Sequence, residues 1–508
     1  MSEQMISKME NTKACFLGID LGSSSVKLAL VDVSTGKKLA LVNEPENEME
    51  IAAIHPDWAE QDPKTWWEYI CKGVKRVIKD TQIDASLIEG IGISYQMHGL
   101  VVVDKNQEPL RNSIIWCDSR AIEIGNKAFD GLGHDKCSEH LLNSPGNFTA
   151  SKLKWVLDNE PDVYSKIHKF MLPGDFVAAK LTGTICTTKN SLSEGILWDY
   201  KEDKIADWLL DYYGIDTNLI PDIVDNFTNQ GEVNEEASKE TGIPVGCPVI
   251  YRAGDQPNNA LSLNIFNQGE VAATGGTSGV IYAVTNQLKS KESSRINHFA
   301  HVNYTNETTN IGKLLCINGA GIMYRWLRNN VGTDSYEQMN RKASTVTVGS
   351  GGVLVIPFGN GAERMLNSVN TGVHFANMNL NQHTHSHLYR AALEGIAFAF
   401  VYGLEILTND NLEIKVIRAG NDNLFRSEIF ANTVATLIGY DIEIYNTTGA
   451  IGAARACSLI DGDFEKFGAK ISNNDHVMTY KPQKNKEAYL TTYIRWKTEL
   501  ENILKIKL

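Results

Sequence analysis

The sequence has no GxxxxGK[ST] stretch, which rules out a Walker-type phosphate loop. It also lacks the HRD loop of protein kinases and the GxSxG elbow of serine hydrolases, so neither chemistry is expected. Its eight cysteines (Cys15, Cys71, Cys117, Cys137, Cys186, Cys247, Cys316, Cys457) are scattered without a CxxC pair. That excludes the common zinc and disulfide-exchange spacings and points to free thiols in a reducing cytoplasm. Basic residues are in deficit, 48 Lys and Arg against 61 Asp and Glu, for a formal net charge of −13. Such a surface argues against nonspecific binding to nucleic acid or an anionic membrane. No run is read as approaching the ~20 apolar residues of a membrane span, and the opening MSEQMISKMENTK is polar, without a signal core. The expectation is a soluble, cytoplasmic protein.

What is present is globular. The chain has 508 residues, 43% of them hydrophobic, too many for one ordinary core, so two domains with a small cap are expected. Residues 14–43 read as three strands, with ACFLGIDL and SVKLALVDV joined by the small turn Gly22-Ser23-Ser24-Ser25. Apolar spacing from Trp66 to Ile78 predicts a helix, and GIGISYQM a buried strand ending at His98-Gly99. About 250 residues later the first pattern returns: GEVAATGGTSGVIYAV is again strand, turn, strand, with the turn at Gly275–Gly279. A duplicated strand–turn–strand unit suggests two similar α/β lobes, each offering a phosphate-facing turn to a shared cleft. The boundary is expected near Arg252–Leu261, and KEAYLTTYIRWKTELENILKI, from Lys486, has helical spacing.

Small residues let backbone amides approach phosphate oxygens, and hydroxyls add donors. Either turn alone is equally an ordinary hairpin turn; their pairing favours a phosphate role. Asp255 follows the apolar strand CPVIYRAG and precedes Pro257, a suitable early helical residue. It reads either as a helix-start aspartate or as a carboxylate facing a cleft.

These motifs resemble the FGGY carbohydrate kinase family over about residues 14 to 465. GIDLGSSSVK is similar to its first phosphate motif and GGTSG to its second. GNFTASKLKWVLDNEP (146–161) and HLYRAALEGIAFAF (387–400) are similar to its two signature segments, and GAIGAARA (449–456) to its small-residue helix start near the nucleotide. The resemblance implies two ribonuclease-H-like, actin-like ATPase lobes around a central cleft. It assigns 14–256 to a sugar-binding lobe, 257–470 to a nucleotide-binding lobe and 471–508 to a helical extension. It implies ATP-dependent phosphorylation of a small sugar with Mg²⁺, with Asp255 of AGDQ as general base and Asp20 and Asp255 near the metal. Gly22, Ser23, Ser24 and Ser25, and Gly276, Thr277 and Ser278, would face the phosphates.

Within the family the likeness is greatest to members acting on xylulose, which carry Gln-Met-His-Gly where glycerol kinases carry Arg-Glu. That puts Met97, His98, Trp116, Asn147, Asp255 and Gln256 at the sugar, with Asp118 and Arg120 completing a Trp-x-Asp-x-Arg pattern. Two departures stand out. Asp255-Gln256 is nearer the glycerol kinase form than Asp-Asn, so ribulose and glycerol stay open beside D-xylulose. The adenine-side loop AGNDNLFRSEIF (419–430) replaces a Gly-Gly-Gly run, with Gly420 and Asn423 as its expected contacts. A homodimer is expected from related kinases. His383, His385 and His387 alternate in NQHTHSH, but alternate residues share a face only in an extended segment, and this one leads into a helix.

Overall fold

The computed structural model describes residues 13–332 and 334–507. The opening segment, apart from Lys13, lies outside them. In the N-terminal lobe, strands β1 (Cys15–Leu21), β2 (Val26–Asp32) and β3 (Lys38–Glu44) form an antiparallel meander. Strands β4 (Ile88–Tyr95) and β5 (Val249–Gly254) add in parallel, giving the order β5-β4-β1-β2-β3. β1, β4 and β5 are nearly continuous apolar runs because both sheet faces are covered. Helix α1 (Pro63–Thr81) covers one face; Asp62 caps it and Pro63 fills its first turn, where a missing N–H costs nothing. Between β4 and β5 a long insertion forms a cap containing α2 (Thr149–Asn159), α3 (Pro173–Thr182) and α4 (Lys189–Glu194). Helix α5 (Asp255–Ser262) then leaves β5.

The C-terminal lobe repeats this plan. Strands β6 (Glu270–Gly275), β7 (Gly279–Thr285), β8 (Asn297–Ala300) and β9 (Ile311–Ile317) are antiparallel. β10 (Val416–Gly420) and β11 (Ile442–Tyr445) add in parallel beyond β6, and β12 (His476–Tyr480) closes that edge. The run β9-β7-β6-β10-β11 matches β3-β2-β1-β4-β5, with β8 and β12 as extra edges. The duplication expected from the two turns is therefore a duplicated sheet, the two-lobed ribonuclease-H-like plan.

Helix α6 (Gly321–Asn330) starts against the second turn, and α7 (His385–Asn409) runs through the lobe core. α7 corrects one expectation: it is long and apolar enough to cross a bilayer, yet 83% of its apolar window is buried inside the protein. It is apolar all round because protein surrounds it. His387 accepts from the Thr384 backbone N–H at the start of this helix. The expected C-terminal helix is α9 (Lys486–Lys507), which docks through buried Trp496, whose Nε1–H donates to the Val355 carbonyl at 2.8 Å.

Helix α8 (Gly449–Ala456) follows β11, yet it packs on the other lobe's sheet, against β1 and β4. Two glycines that are partners across β1 and β4 make this possible. A methyl on Gly18 would lie 1.9 Å from the Ala450 carbonyl oxygen, and one on Gly92 would lie 1.9 Å from that of Ala453. α8 also packs on α5, with Asn258 Nδ2 donating to the Gly449 carbonyl at 2.9 Å.

On the cap side, edge strand β8 is sealed rather than exposed. Asn143 exchanges two hydrogen bonds with the His298 backbone, Ser193 accepts from the Ala300 amide, and Asn190 donates to the Ala300 carbonyl. Side chains from the cap thus satisfy an edge that a bare sheet would leave open.

Candidate active site

The antiparallel register puts Asp20 directly opposite Lys27, and the parallel register puts it beside Ser94. Ser94 Oγ–H donates to Asp20 Oδ1 at 2.8 Å, and Lys27 Nζ lies 4.0 Å from Oδ2. Gly449 backs onto this carboxylate: an added methyl would lie 2.6 Å from Oδ2. The first turn is tight, closed by Gly22 N–H to the Ser25 carbonyl at 3.0 Å, and tied down by Gln61, which donates to the Ser23 carbonyl.

Asp255 is the first residue of α5, behind a Gly254 cap that supplies no side-chain hydrogen bond. Its carboxyl is pushed up to about 7, first by burial, then by the negative charge of Asp20; hydrogen bonds from Gln256 and the Lys27 charge oppose the rise. Asp20, Lys27, Asp255 and Gln256 therefore share one electrostatic neighbourhood. Lys27 lies inside the first motif but was not among the residues expected at the site.

The second turn pairs Gly275 with Gly279, and its Gly276 and Thr277 carbonyls accept from the first amides of α6. Gly275, Gly276 and Thr277 line a cavity of about 520 Å³ with Asn423, Leu424 and Arg426. Its opposite wall holds Tyr324 and Tyr336, stacked at 5.8 Å. Of the expected nucleotide contacts, Gly276, Thr277 and Asn423 meet here. Ser278 and Gly420 do not line the cavity; Gly420 ends β10 beside Asp422. The tyrosine wall carried no motif, since helices Gly321–Asn330 and 336–344 converge only in three dimensions.

His98 stands at φ 60°, an uncommon backbone for a side-chain-bearing residue. Its Nδ1 lies 2.9 Å from the Glu194 carbonyl, so Nδ1 carries the proton and Nε2 is left as an acceptor. Burial and the Lys152 charge push its pKa down to about 3, keeping the ring neutral. Phe148 packs on the ring at 4.8 Å and Phe299, from sealed strand β8, at 5.1 Å. Met97 is buried against Gly254, just ahead of Asp255.

Trp116 is 53% exposed and its Nε1–H donates to Ser23 Oγ at 3.4 Å, linking this region to the first turn. Asn147 donates to the Asp118 carbonyl while its Oδ1 is buried without a partner. Asp118 is structural: buried, it accepts from the Ala59 amide and a bidentate Arg120, whose guanidinium lies over Trp58 at 3.9 Å. Glu194, unforeseen from the sequence, has both carboxylate oxygens buried; burial holds its carboxyl well above the usual range, with the Tyr95 hydroxyl opposing.

A family model for the N-terminal domain of FGGY carbohydrate kinases matches residues 15–262, and one for the C-terminal domain matches residues 271–459. The chain belongs to the FGGY family of carbohydrate kinases. A xylulose kinase of Staphylococcus epidermidis is 29% identical over 406 residues, covering 80% of this chain and 79% of the relative. Among solved structures, the xylulose kinase of Rhodospirillum rubrum superposes with a TM-score of 0.86 at 22% identity, covering 97% of this chain and 99% of that one. Plasmodium falciparum glycerol kinase with ADP superposes with 0.86 at 20% identity, covering 97% and 98%. The likeness to these structures lies in the fold, the pair of similar lobes.

Proposed function

We propose that this FGGY kinase transfers the terminal phosphoryl group of ATP to a hydroxyl of D-xylulose, giving D-xylulose 5-phosphate. The observation that carries the reading is Asp255, buried in the strand–helix corner against which Met97 packs, where burial and the Asp20 charge push its carboxyl up to about 7. A base with that pKa is half ionised at neutral pH and well matched to taking a proton from an alcohol. His98, with Nε2 free to accept, suits a sugar hydroxyl. The cavity lined by Gly276, Thr277 and Asn423 suits an adenosine, and its position beside the second turn supports a phosphate role for that turn.

The donor set also suits magnesium. Asp20 and Asp255 offer hard oxygens, and their mutual repulsion is relieved by a divalent cation. Among the described residues no group of three His, Cys, Asp or Glu could hold a metal alone. Water and nucleotide phosphates would complete the shell, as magnesium prefers. When bound, the ion would offset phosphate charge. Lys27 and the amides and hydroxyls of both turns (Gly22–Ser25 and Gly276–Ser278) stabilise the charge on the transferred group. Asp255 accepts the sugar proton, and closure of the lobes excludes competing water.

A second reading is favoured by one residue: Gln256 beside Asp255 matches the glycerol kinase form, whereas the Met97-His98 pair supports the ketopentose. A coupled ADP-release assay with D-xylulose, D-ribulose and glycerol tests this. D-xylulose is expected to give the highest kcat/KM. A higher value for another substrate overturns the sugar assignment, and ATP hydrolysis unstimulated by any of them overturns the kinase reading. Cytoplasmic location and a homodimer complete the proposal; the eight free thiols support the former, and light scattering tests the latter.

A further inference from the structure

The segment GNFTASKLKWVLDNEP contributes α2, and with it Lys152, a side chain with no solvent exposure. Its Nζ donates to the His98 carbonyl at 2.8 Å and to the Ile115 carbonyl at 2.9 Å. Among the described residues no carboxylate lies within ion-pair distance of it; the nearby Asp118 is committed to Arg120 and the Ala59 amide. A buried ammonium neutralised only by carbonyl dipoles is costly to keep, and these two carbonyls belong to the segments that present the sugar-side residues. One is that of His98 itself, held in the left-handed region at φ 60°; holding a residue there requires surroundings that over-determine it. The other immediately precedes Trp116, which reaches the first phosphate turn through Ser23.

We propose that Lys152 is a positioning residue of the sugar site, its ammonium pinning the His98 and Ile115 carbonyls so that the segments bearing His98 and Trp116 hold the geometry that binds the sugar. The inference rests on the kinase reading above. Lys152 acts in its charged form, because charge-assisted hydrogen bonds are roughly twice as strong as neutral ones.

Burial pushes Lys152 down to about 7, with Arg120 lowering it further while Asp118 and Cys117 oppose. These three lie on the segment after Ile115; on the His98 segment the facing group is the ring itself, already neutral. On α2, Lys154 instead pairs with Asp158 at the surface. Sugar affinity is therefore full below about pH 7 and lost as pH rises through it.

The test is isothermal titration of the full-length protein with the best substrate of the panel above. For the unmodified protein the sugar Kd should rise at least tenfold between pH 6.5 and 8.5, with the ADP Kd unchanged. Lys152→Met, shown to be folded by near-ultraviolet circular dichroism, should raise the sugar Kd at least tenfold at pH 6.5 and abolish its pH dependence. At saturating sugar its kcat should stay within threefold, a split that general loosening of the cap would not give. A sugar Kd independent of pH in the unmodified protein overturns the proposal, even if Lys152→Met does not fold. So does a folded Lys152→Met that binds sugar within twofold of normal. A wrong choice of sugar shows instead as a different winner in the panel.

Discussion

Two residues before its turn glycine, the N-terminal lobe carries Asp20; at the matching place the C-terminal lobe carries Thr274. The helix leaving β5 begins on Asp255 without a side-chain cap, whereas the helix leaving β11 is capped by Thr448, which accepts from the Ile451 amide. Two carboxylates of the N-terminal half thus have neutral hydroxyls at their counterparts in the C-terminal half, and α8 carries one of these, Thr448, to the neighbourhood of Asp20. A base and hard metal ligands are useful where the alcohol attacks, whereas a phosphate chain and adenine are better held by neutral donors that do not repel them. The packing is asymmetric too. Gly18 and Gly92 leave the N-terminal sheet bare for a helix supplied by the other lobe, while the position in β6 that matches Gly18 is Ala272.

The largest expected effect comes from exchanging charge at the helix starts. Asp255→Asn should lower kcat by about 10²–10⁴, with sugar and ADP Kd within threefold by calorimetry. Its counterpart Thr448→Val should leave kcat within threefold and cost about 1 kcal/mol of stability through the lost cap, read by urea unfolding. Similar losses of turnover at both sites would erase the comparison. Next, Gly92→Ala should destabilise by roughly 1–3 kcal/mol, because backbone and not a pliable side chain meets the new methyl; a melting temperature matching the parent would deny the close approach of α8.

The carboxylate pair is separated by pH. Because Asp255 must be ionised, kcat should rise as pH increases through about 7 and fall about tenfold per unit below it. Asp20→Asn removes the neighbouring negative charge, so the acid limb of whatever activity persists should move to lower pH. A limb that stays in place means that burial alone sets it. The smallest effect is expected on the neutral side, where Asn423→Ala should raise the KM for ATP a few-fold, in line with the ~1 kcal/mol of a lost hydrogen bond, and leave the KM for sugar unchanged.

The first and second turns, the three opening strands and the buried helix of the second signature segment were legible because their information is local: apolar runs bounded by small residues. Asp255 was legible only as a strand-end aspartate, equally suited to a helix start. The tyrosine wall of the cavity was not legible at all, because Tyr324 and Tyr336 come from separate helices that meet by packing. Asp118 and Arg120 were legible only as part of a Trp-x-Asp-x-Arg pattern; that they form a buried ion pair stacked on Trp58 and Trp155 was not.

By itself the sequence determined the duplicated strand–turn–strand units, the family and the residue types available to the site, since periodicity and small-residue turns act over a few positions. Only the tertiary structure decided that α8 crosses to the opposite sheet, that Asp20 raises Asp255, and that Lys152 holds His98 from behind. Each of these depends on groups far apart in the chain meeting where water is excluded, and burial and proximity shift a pKa or fix a backbone only once that meeting has occurred.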